Sequence, residues 1–179
     1  MPLIKKYLEL ADHVFIGGAL HNDFLKSLGY EIGQSLIDAE EFDLKPMLQN
    51  KKLVLPLDVL VNSPEGHFKR KVNEVRSNES IIDIGENSVA KLEELISNSK
   101  LILWNGPLGK YEEEGEKATE AVLRAISESS AQSIIGGGDL VSIIDRLGIE
   151  DKFSFVSTGG GATLDFLIEG SLPGIRALG

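Results

Sequence analysis

Ser133-Ile134-Ile135-Gly136-Gly137-Gly138-Asp139 is a short apolar run that breaks into three glycines and then an acidic residue. A run this short, β-branched and bounded by glycine, reads as a buried strand. Beyond it, Val141, Ile144 and Leu147 recur at helical spacing, and Gly148 offers a helix stop. The unit is therefore strand, glycine turn, helix. It recurs in both directions along the chain. Phe153-Ser154-Phe155-Val156 runs into Ser157-Thr158-Gly159-Gly160-Gly161, followed by Leu164, Leu167 and Ile168. Leu101-Ile102-Leu103-Trp104 runs into Asn105-Gly106-Pro107, followed by the stripe Ala118, Ala121, Val122, Ala125 and Ile126. Val14-Phe15-Ile16 runs into Gly17-Gly18 and a helical stretch near Asn22 to Leu28. Leu53-Val54-Leu55 and Val59-Leu60-Val61 add strand material split by Pro56, and Val89, Leu92 and Ile96 add one more helix face. Strands alternating with helices predict a three-layer, Rossmann-like α/β fold: an open parallel sheet with helices on both faces. With no evident linker or internal repeat, residues 1–179 are expected to form one domain.

Composition narrows the chemistry. The 179 residues suit a single core, and the chain has no cysteine, which excludes disulfides, zinc-thiolate sites and thiol nucleophiles. A net charge of −10 excludes an overall basic footprint for nucleic acid. Lys69-Arg70-Lys71 is the one dense basic cluster, and it lies in a polar stretch, Asn62 to Ser80, expected to be a solvated loop or hairpin. No apolar run approaches a membrane span or a signal-peptide core. No membrane partner is expected, and the cytoplasm is the default compartment. His13, His21 and His67 have no metal-ligand spacing, and His21 and Asp23 suggest no general-base pair. Neither G-x-G-x-x-G nor a P-loop is present, against a dinucleotide fold of the usual kind and a Walker-type ATPase.

In open parallel sheets ligands bind beyond the carboxyl ends of the strands. Those ends carry the glycine turns here. Exposed N–H groups at helix N-termini suit phosphate oxygens, since first-turn amides lack partners and the helix dipole favours anions. Asp139 is expected to cap the helix it opens, and the same carboxylate could meet the Mg2+ of a bound nucleotide. Ser157 or Thr158 is the corresponding cap candidate one strand later. Glu112 to Glu114 either favour the first turn of the following helix or supply Glu112 to a ribose hydroxyl.

Three motifs, Leu103-Trp104-Asn105-Gly106-Pro107-Leu108-Gly109, Ile135-Gly136-Gly137-Gly138-Asp139 and Ser157-Thr158-Gly159-Gly160-Gly161-Ala162, stand in an order and spacing that resembles the phosphoglycerate kinases. Ile16-Gly17-Gly18-Ala19 with Asn22, Phe24 and Leu25, then Leu55-Pro56-Leu57-Asp58, Asp83-Ile84-Gly85 and Leu172-Pro173-Gly174-Ile175 resemble further segments of that family. The resemblance implies the C-terminal, nucleotide-binding domain of such a kinase, with Mg2+ and ATP or ADP as ligands. It implies reversible phosphoryl transfer between ATP and 3-phosphoglycerate, in glycolysis, completed only when an N-terminal domain closes on the nucleotide.

Position by position, it implies Glu112 at the ribose, Asn105, Gly106 and Pro107 in the wall of the site, and Ile82 at the adenine. Gly137, Gly138, Asp139 and Leu140 would form the phosphate and metal turn, with Asp139 as the metal ligand. Gly159, Gly160 and Gly161 would face the transferred group as the catalytic turn. Leu140 stands where the family has Thr or Ser, Ala19 where Gly is common and Glu86 where Pro is common. The family's first βα unit of this domain, with its phosphate-contacting lysines, is expected upstream of Met1. The chain alone is therefore expected to be inactive, and either a separate N-terminal half or self-association is the expected partner. The alternative is a non-catalytic nucleotide- or partner-binding module derived from the kinase fold.

Overall fold

The computed structural model describes residues 2–38, 42–110, 115–171 and 176–177, without the side chains at 164, 165, 167 and 168. In chain order the elements are α1 (Pro2–Leu10), β1 (Val14–Phe15), α2 (Leu20–Ser27), α3 (Lys45–Leu48), β2 (Leu53–Val54), β3 (Asp58–Ser63), β4 (Gly66–Lys71) and β5 (Ser80–Ile84). They continue with α4 (Glu86–Ser97), β6 (Leu101–Asn105), α5 (Lys117–Glu128), β7 (Gln132–Gly136), α6 (Gly138–Leu147), β8 (Phe155–Ser157) and α7 (Gly161–Glu169). The fold is α/β and Rossmann-like, as the alternating pattern predicts. Parallel pairing joins β1 to β2, and β6, β7 and β8 in sequence order.

One sheet was not legible as such. β3 lies between β4 and β5 and pairs antiparallel with both. The polar stretch after Asn62 is thus a hairpin, and its basic cluster is only partly solvated. Arg70 donates through Nε at 3.0 Å and Nη2 at 2.7 Å to Oε1 of Glu79, whose side chain is buried. Lys69 reaches Glu86 at 2.6 Å. Of this cluster, Arg70 is therefore tied to a buried carboxylate, while Lys69 and Lys71 remain exposed.

Three apolar clusters follow from the helix stripes. The largest joins α4, α5 and α6 to β6 and β7 through Leu92, Ile96, Val122, Leu123, Ile135 and Ile144. A second gathers α1, α2 and α3 around Ile4, Leu8, Phe24 and Met47. The third packs Leu25 and Ile32 on the antiparallel sheet at Val59, Val61 and Ile81. The α6 stripe is shifted from the expected one. Leu140, Ile143 and Ile144 are buried, whereas Val141 and Leu147 are only partly so. Phe153 is core but precedes its strand, which begins at Phe155. Gly148 ends α6 in the left-handed conformation, φ 64, as the sequence suggests.

The turn into α4 shows a cap supplied from a distant strand. Gly85 is the N-cap residue and has no side chain to offer. The carboxylate of buried Asp58, on β3, takes that role instead. It accepts from the N–H of Asn87 at 3.1 Å, the N–H of Ser88 at 2.9 Å, Asn87 Nδ2 at 2.8 Å and Ser88 Oγ at 2.7 Å. Burial acts to raise the Asp58 pKa, but the hydrogen bonds from Ser88 and Asn87 outweigh it and hold the carboxyl below its ordinary range. Glu86, where the family commonly has Pro, is the first residue of α4, and its charge favours the helix start.

Candidate functional site

The parallel register places the glycine turns side by side. Asn105 of β6 pairs with Gly136 of β7, and Gly136 pairs with Ser157 of β8. Each strand ends on this line, so the next residues of all three emerge on one rim. The turns also touch. The Gly106 N–H donates to the Gly136 carbonyl at 3.1 Å, and a Cβ at Gly137 would sit 3.2 Å from the Gly106 nitrogen. Gly137 holds φ 108, ψ 132, which a side chain does not tolerate. Gly137→Ala should lose about 2 kcal/mol of stability from this strain, read by chemical denaturation. An unchanged midpoint would show that the turn relaxes.

Two helices start from this rim, and neither is capped by a side chain. The N-cap of α6 is Gly137 and that of α7 is Gly160. The expectation that Asp139 caps α6 is corrected here. Asp139 lies one residue inside the helix, exposed, with its carboxylate unbonded among the described residues. A glycine turn with φ 108 can start the helix unaided, so the side chain is left for other use. The first intrahelical bond runs from Val141 N–H to the Gly137 carbonyl at 3.1 Å. The N–H groups of Gly138, Asp139 and Leu140 precede it and have no acceptor among the described residues. On α7 the corresponding donors without an acceptor among the described residues are Gly160 and Gly161, because Gly159 N–H already donates to Ser157 Oγ at 3.2 Å. Ser157 thus ties the turn rather than the helix, with its hydroxyl also 2.5 Å from Thr163 Oγ1.

Leu140 contributes only its backbone to the rim. Its side chain is 0% exposed and packs in the core with Ile135 and Ile144. No side-chain hydroxyl reaches the rim from this position. Ala19 is accommodated for a simpler reason. It sits at φ −60, ψ −32, an ordinary helical conformation that needs no glycine.

The rim continues toward β1. Gly18 N–H donates to the Leu108 carbonyl at 3.1 Å, so the turn before α2 rests on the loop after β6. Between them lies a cavity of about 250 Å³, which Ile82 and Pro107 help to line. Asp83 also lines it, but its carboxylate is occupied, accepting from Ile84 N–H at 2.8 Å and Ala118 N–H at 3.1 Å. Burial raises the Asp83 pKa to about 6 in spite of those two bonds. The sequence singled out Ile82 and Pro107 but not the α2 side of this cavity, where His21 and Asn22 stand. A buried polar pair directly after a glycine turn is the signal that could have found them.

Asn105, Gly106, Pro107, Gly137, Gly138, Asp139, Gly159, Gly160 and Gly161 therefore share one rim, with Ile82 in the adjoining cavity. Glu112 and Leu172-Pro173-Gly174-Ile175 lie outside the described residues. Among the described residues no group of three or more His, Cys, Asp or Glu side chains could hold a metal ion. A lone carboxylate suits Mg2+ only in the mode where phosphate oxygens and water complete the shell, and exposed Asp139 beside unpaired amides fits that mode.

Comparison with known proteins bears on the family and the fold. The family model described as phosphoglycerate kinase matches residues 1–170. A phosphoglycerate kinase of Haemophilus influenzae is 39% identical over 184 aligned residues, covering 99% of this chain and 48% of that protein. The structure of phosphoglycerate kinase from Coxiella burnetii superposes with a TM-score of 0.87 at 38% identity, covering 99% of this chain and 48% of that one. The crystal structure of the Pyrococcus horikoshii enzyme gives 0.81 at 28% identity, over the same shares. The chain thus spans about half the length of the relatives it matches. Among the described residues no helix is long and apolar enough to cross a membrane. On its matched residues and on its fold, the chain belongs to the phosphoglycerate kinase family.

Proposed function

We propose that this chain is the nucleotide-binding domain of a phosphoglycerate kinase and holds Mg-ADP or Mg-ATP across the rim and its cavity. The observation that carries this is the register Asn105–Gly136–Ser157, which brings two uncapped helix N-termini to one line. The unpaired amides of Gly138, Asp139 and Leu140 receive phosphate oxygens, and those of Gly160 and Gly161 receive the oxygens of the group in transfer. Asp139 holds Mg2+, which supplies charge neutralisation on the polyphosphate. Asn105, Gly106 and Pro107 wall the site, Ile82 lies against the base, and Glu112 bonds the ribose.

The reaction is reversible phosphoryl transfer between ATP and 3-phosphoglycerate, the glycolytic step, in the cytoplasm. It depends on positioning and charge stabilisation and needs no covalent intermediate. A net charge of −10 leaves this chain poor in the cations that a bound phosphoglycerate and a transferring phosphoryl group require. A second polypeptide segment, matching the other half of the relatives, supplies them. The chain alone is inactive.

Calorimetry with Mg-ADP and a coupled kinase assay test this together. The chain should bind Mg-ADP and give no turnover, and activity should appear when a chain resembling the family's N-terminal half is added. Asp139→Ala should remove about tenfold of affinity, about 1.4 kcal/mol, and only when Mg2+ is present. Binding without rescue would favour a non-catalytic module. Absence of binding, with or without the added half, would reject the nucleotide site.

A further inference from the structure

Both parallel sheets end on an open edge, and the hydrogen-bond pattern identifies the groups that lie on it. β6 pairs with β7 on one side and with no described strand on the other. Gln132 N–H donates to the Lys100 carbonyl at 2.9 Å, and Gly106 N–H to the Gly136 carbonyl at 3.1 Å. Successive residues of a strand turn their backbone groups to opposite sides. The even-numbered residues of β6 therefore bond to β7, and the N–H and C=O groups of Leu101, Leu103 and Asn105 face away from it. β1 repeats the pattern. The N–H groups of Val14 and Ile16 donate to the Lys52 and Val54 carbonyls at 2.9 and 3.1 Å, so Phe15 turns its N–H and C=O to the other side. None of Phe15, Leu101, Leu103 and Asn105 has a backbone partner on that side among the described residues.

The two edges border one gap. Both strands run toward the rim, where Gly18 N–H, beyond β1, donates to the Leu108 carbonyl, beyond β6. Phe15, Ile102 and Trp104 pack on the same apolar cluster. Yet β1 and β6 do not pair with each other. Cover is thin along this line. Trp104 lies beside Ile135 in the register, and Ile135 is 0% exposed while Trp104 is only half-buried. Leu101 is 61% exposed, and Phe15 and Leu103 are half-buried. Parallel strands are ordinarily buried on both faces, and an open apolar edge is a template for a further strand.

We propose that an extended apolar segment of a second polypeptide enters between β1 and β6 and joins the two parallel sheets into one. One row of its N–H and C=O groups bonds to Leu101, Leu103 and Asn105, and the opposite row bonds to Phe15. The five residues of β6 set its length. It is apolar because a central strand of a parallel sheet has no solvated face. A second copy of this chain does not fit. Each described strand of such a copy is already bonded to a neighbour, so it has at most one free row to offer. Main-chain bonding of this kind gives affinity, and the alternate side chains give selectivity. The surface does not depend on the nucleotide reading above.

The test adds a capped peptide, alternating valine and isoleucine between lysine pairs, to the full 179-residue chain. The lysines keep the peptide soluble and suit a net charge of −10. Amide hydrogen exchange is followed by NMR. Saturating peptide should slow exchange at Phe15 and Leu103 together, each by about tenfold. Two N-methylated peptides then separate a gap from a single edge. Methyl groups on alternate residues block one row of the peptide, and methyl groups on the remaining residues block the other. Each should bind about tenfold more weakly than the parent, since both rows are used. Leu103→Pro removes one donor from an edge where proline is tolerated, and should weaken peptide binding about fivefold. If that variant is poorly folded, the methylated pair on the wild type decides. A methylated peptide that binds as tightly as the parent overturns the proposal, as does slowing at Leu103 without Phe15. No binding of the parent peptide also overturns it, as does a dimer of the chain, held through these edges, that the peptide fails to dissociate.

Discussion

Between pH 4 and 6.5, His21→Phe and Asp83→Asn should change the stability profile in opposite directions, each by about 3 kcal/mol. Burial lowers the folded pKa of His21 from 6.5 to about 4. The unfolded chain then takes the proton first, so the stability His21 contributes is complete above 6.5 and is lost as pH falls toward 4. Burial raises the folded pKa of Asp83 from 3.8 to about 6. There the folded protein holds the proton more tightly, so the contribution is complete below 3.8 and is lost as pH rises through 6. The two slopes oppose each other over nearly the same range, and the wild type hides both.

Relative to wild type, the stability of His21→Phe should fall as pH rises through this window, and that of Asp83→Asn should climb. Other carboxylates act equally in all three proteins and cancel in the differences. Denaturant titrations followed by the fluorescence of Trp104, the single tryptophan, measure them at several pH values. A difference between His21→Phe and wild type that stays constant from acid to neutral pH would show that His21 is not buried neutral.

Asp58→Ala should destabilise the fold by about 3 kcal/mol, although the residue lies far in sequence from the helix it caps. Its removal leaves the N–H groups of Asn87 and Ser88 and the Asn87 amide without their acceptor. Gly85→Ala should approach the same loss by a steric route. A Cβ there would stand 2.2 Å from Asp58 Cγ, while φ −87, ψ 175 is ordinary backbone that alanine adopts freely. The three nearest atoms to that Cβ all belong to the carboxylate, so the backbone itself is not the obstacle. The double variant should be scarcely less stable than Asp58→Ala, since both changes act on one contact. Strict additivity in the double-mutant cycle would separate Gly85 from the cap. A loss below about 0.5 kcal/mol for Asp58→Ala would place the cap with water instead.

Parallel strands were legible because they are apolar runs cut by glycine, a pattern with few other solutions. β1, β6 and β7 carry the runs from which they were expected, and β6, β7 and β8 pair in the order of the motifs. The antiparallel strands were harder. β4 is mostly exposed and polar, Gly66–Lys71, so neither composition nor periodicity marks it. Only pairing with β3 makes it a strand. On α6 the spacing indicated the helix and found Ile144 and Leu147 on its packed side but missed Leu140 and Ile143, because neighbouring positions are all apolar and only packing selects the centre of the face. Asp139 looked like a cap because Asp usually is one. The positive φ of Gly137 starts the helix earlier and leaves that carboxylate exposed.

The sequence by itself determined the class of fold, the glycine turns and the family. These depend on local chemistry: short apolar runs favour strands, and glycine alone supplies the backbone that the turns need. Tertiary structure decided which turns meet, which carboxylate caps α4, and that His21 and Asn22 end their side chains against a shared cavity. Burial and register depend on what packs against a residue, and a linear string does not record its neighbours in space.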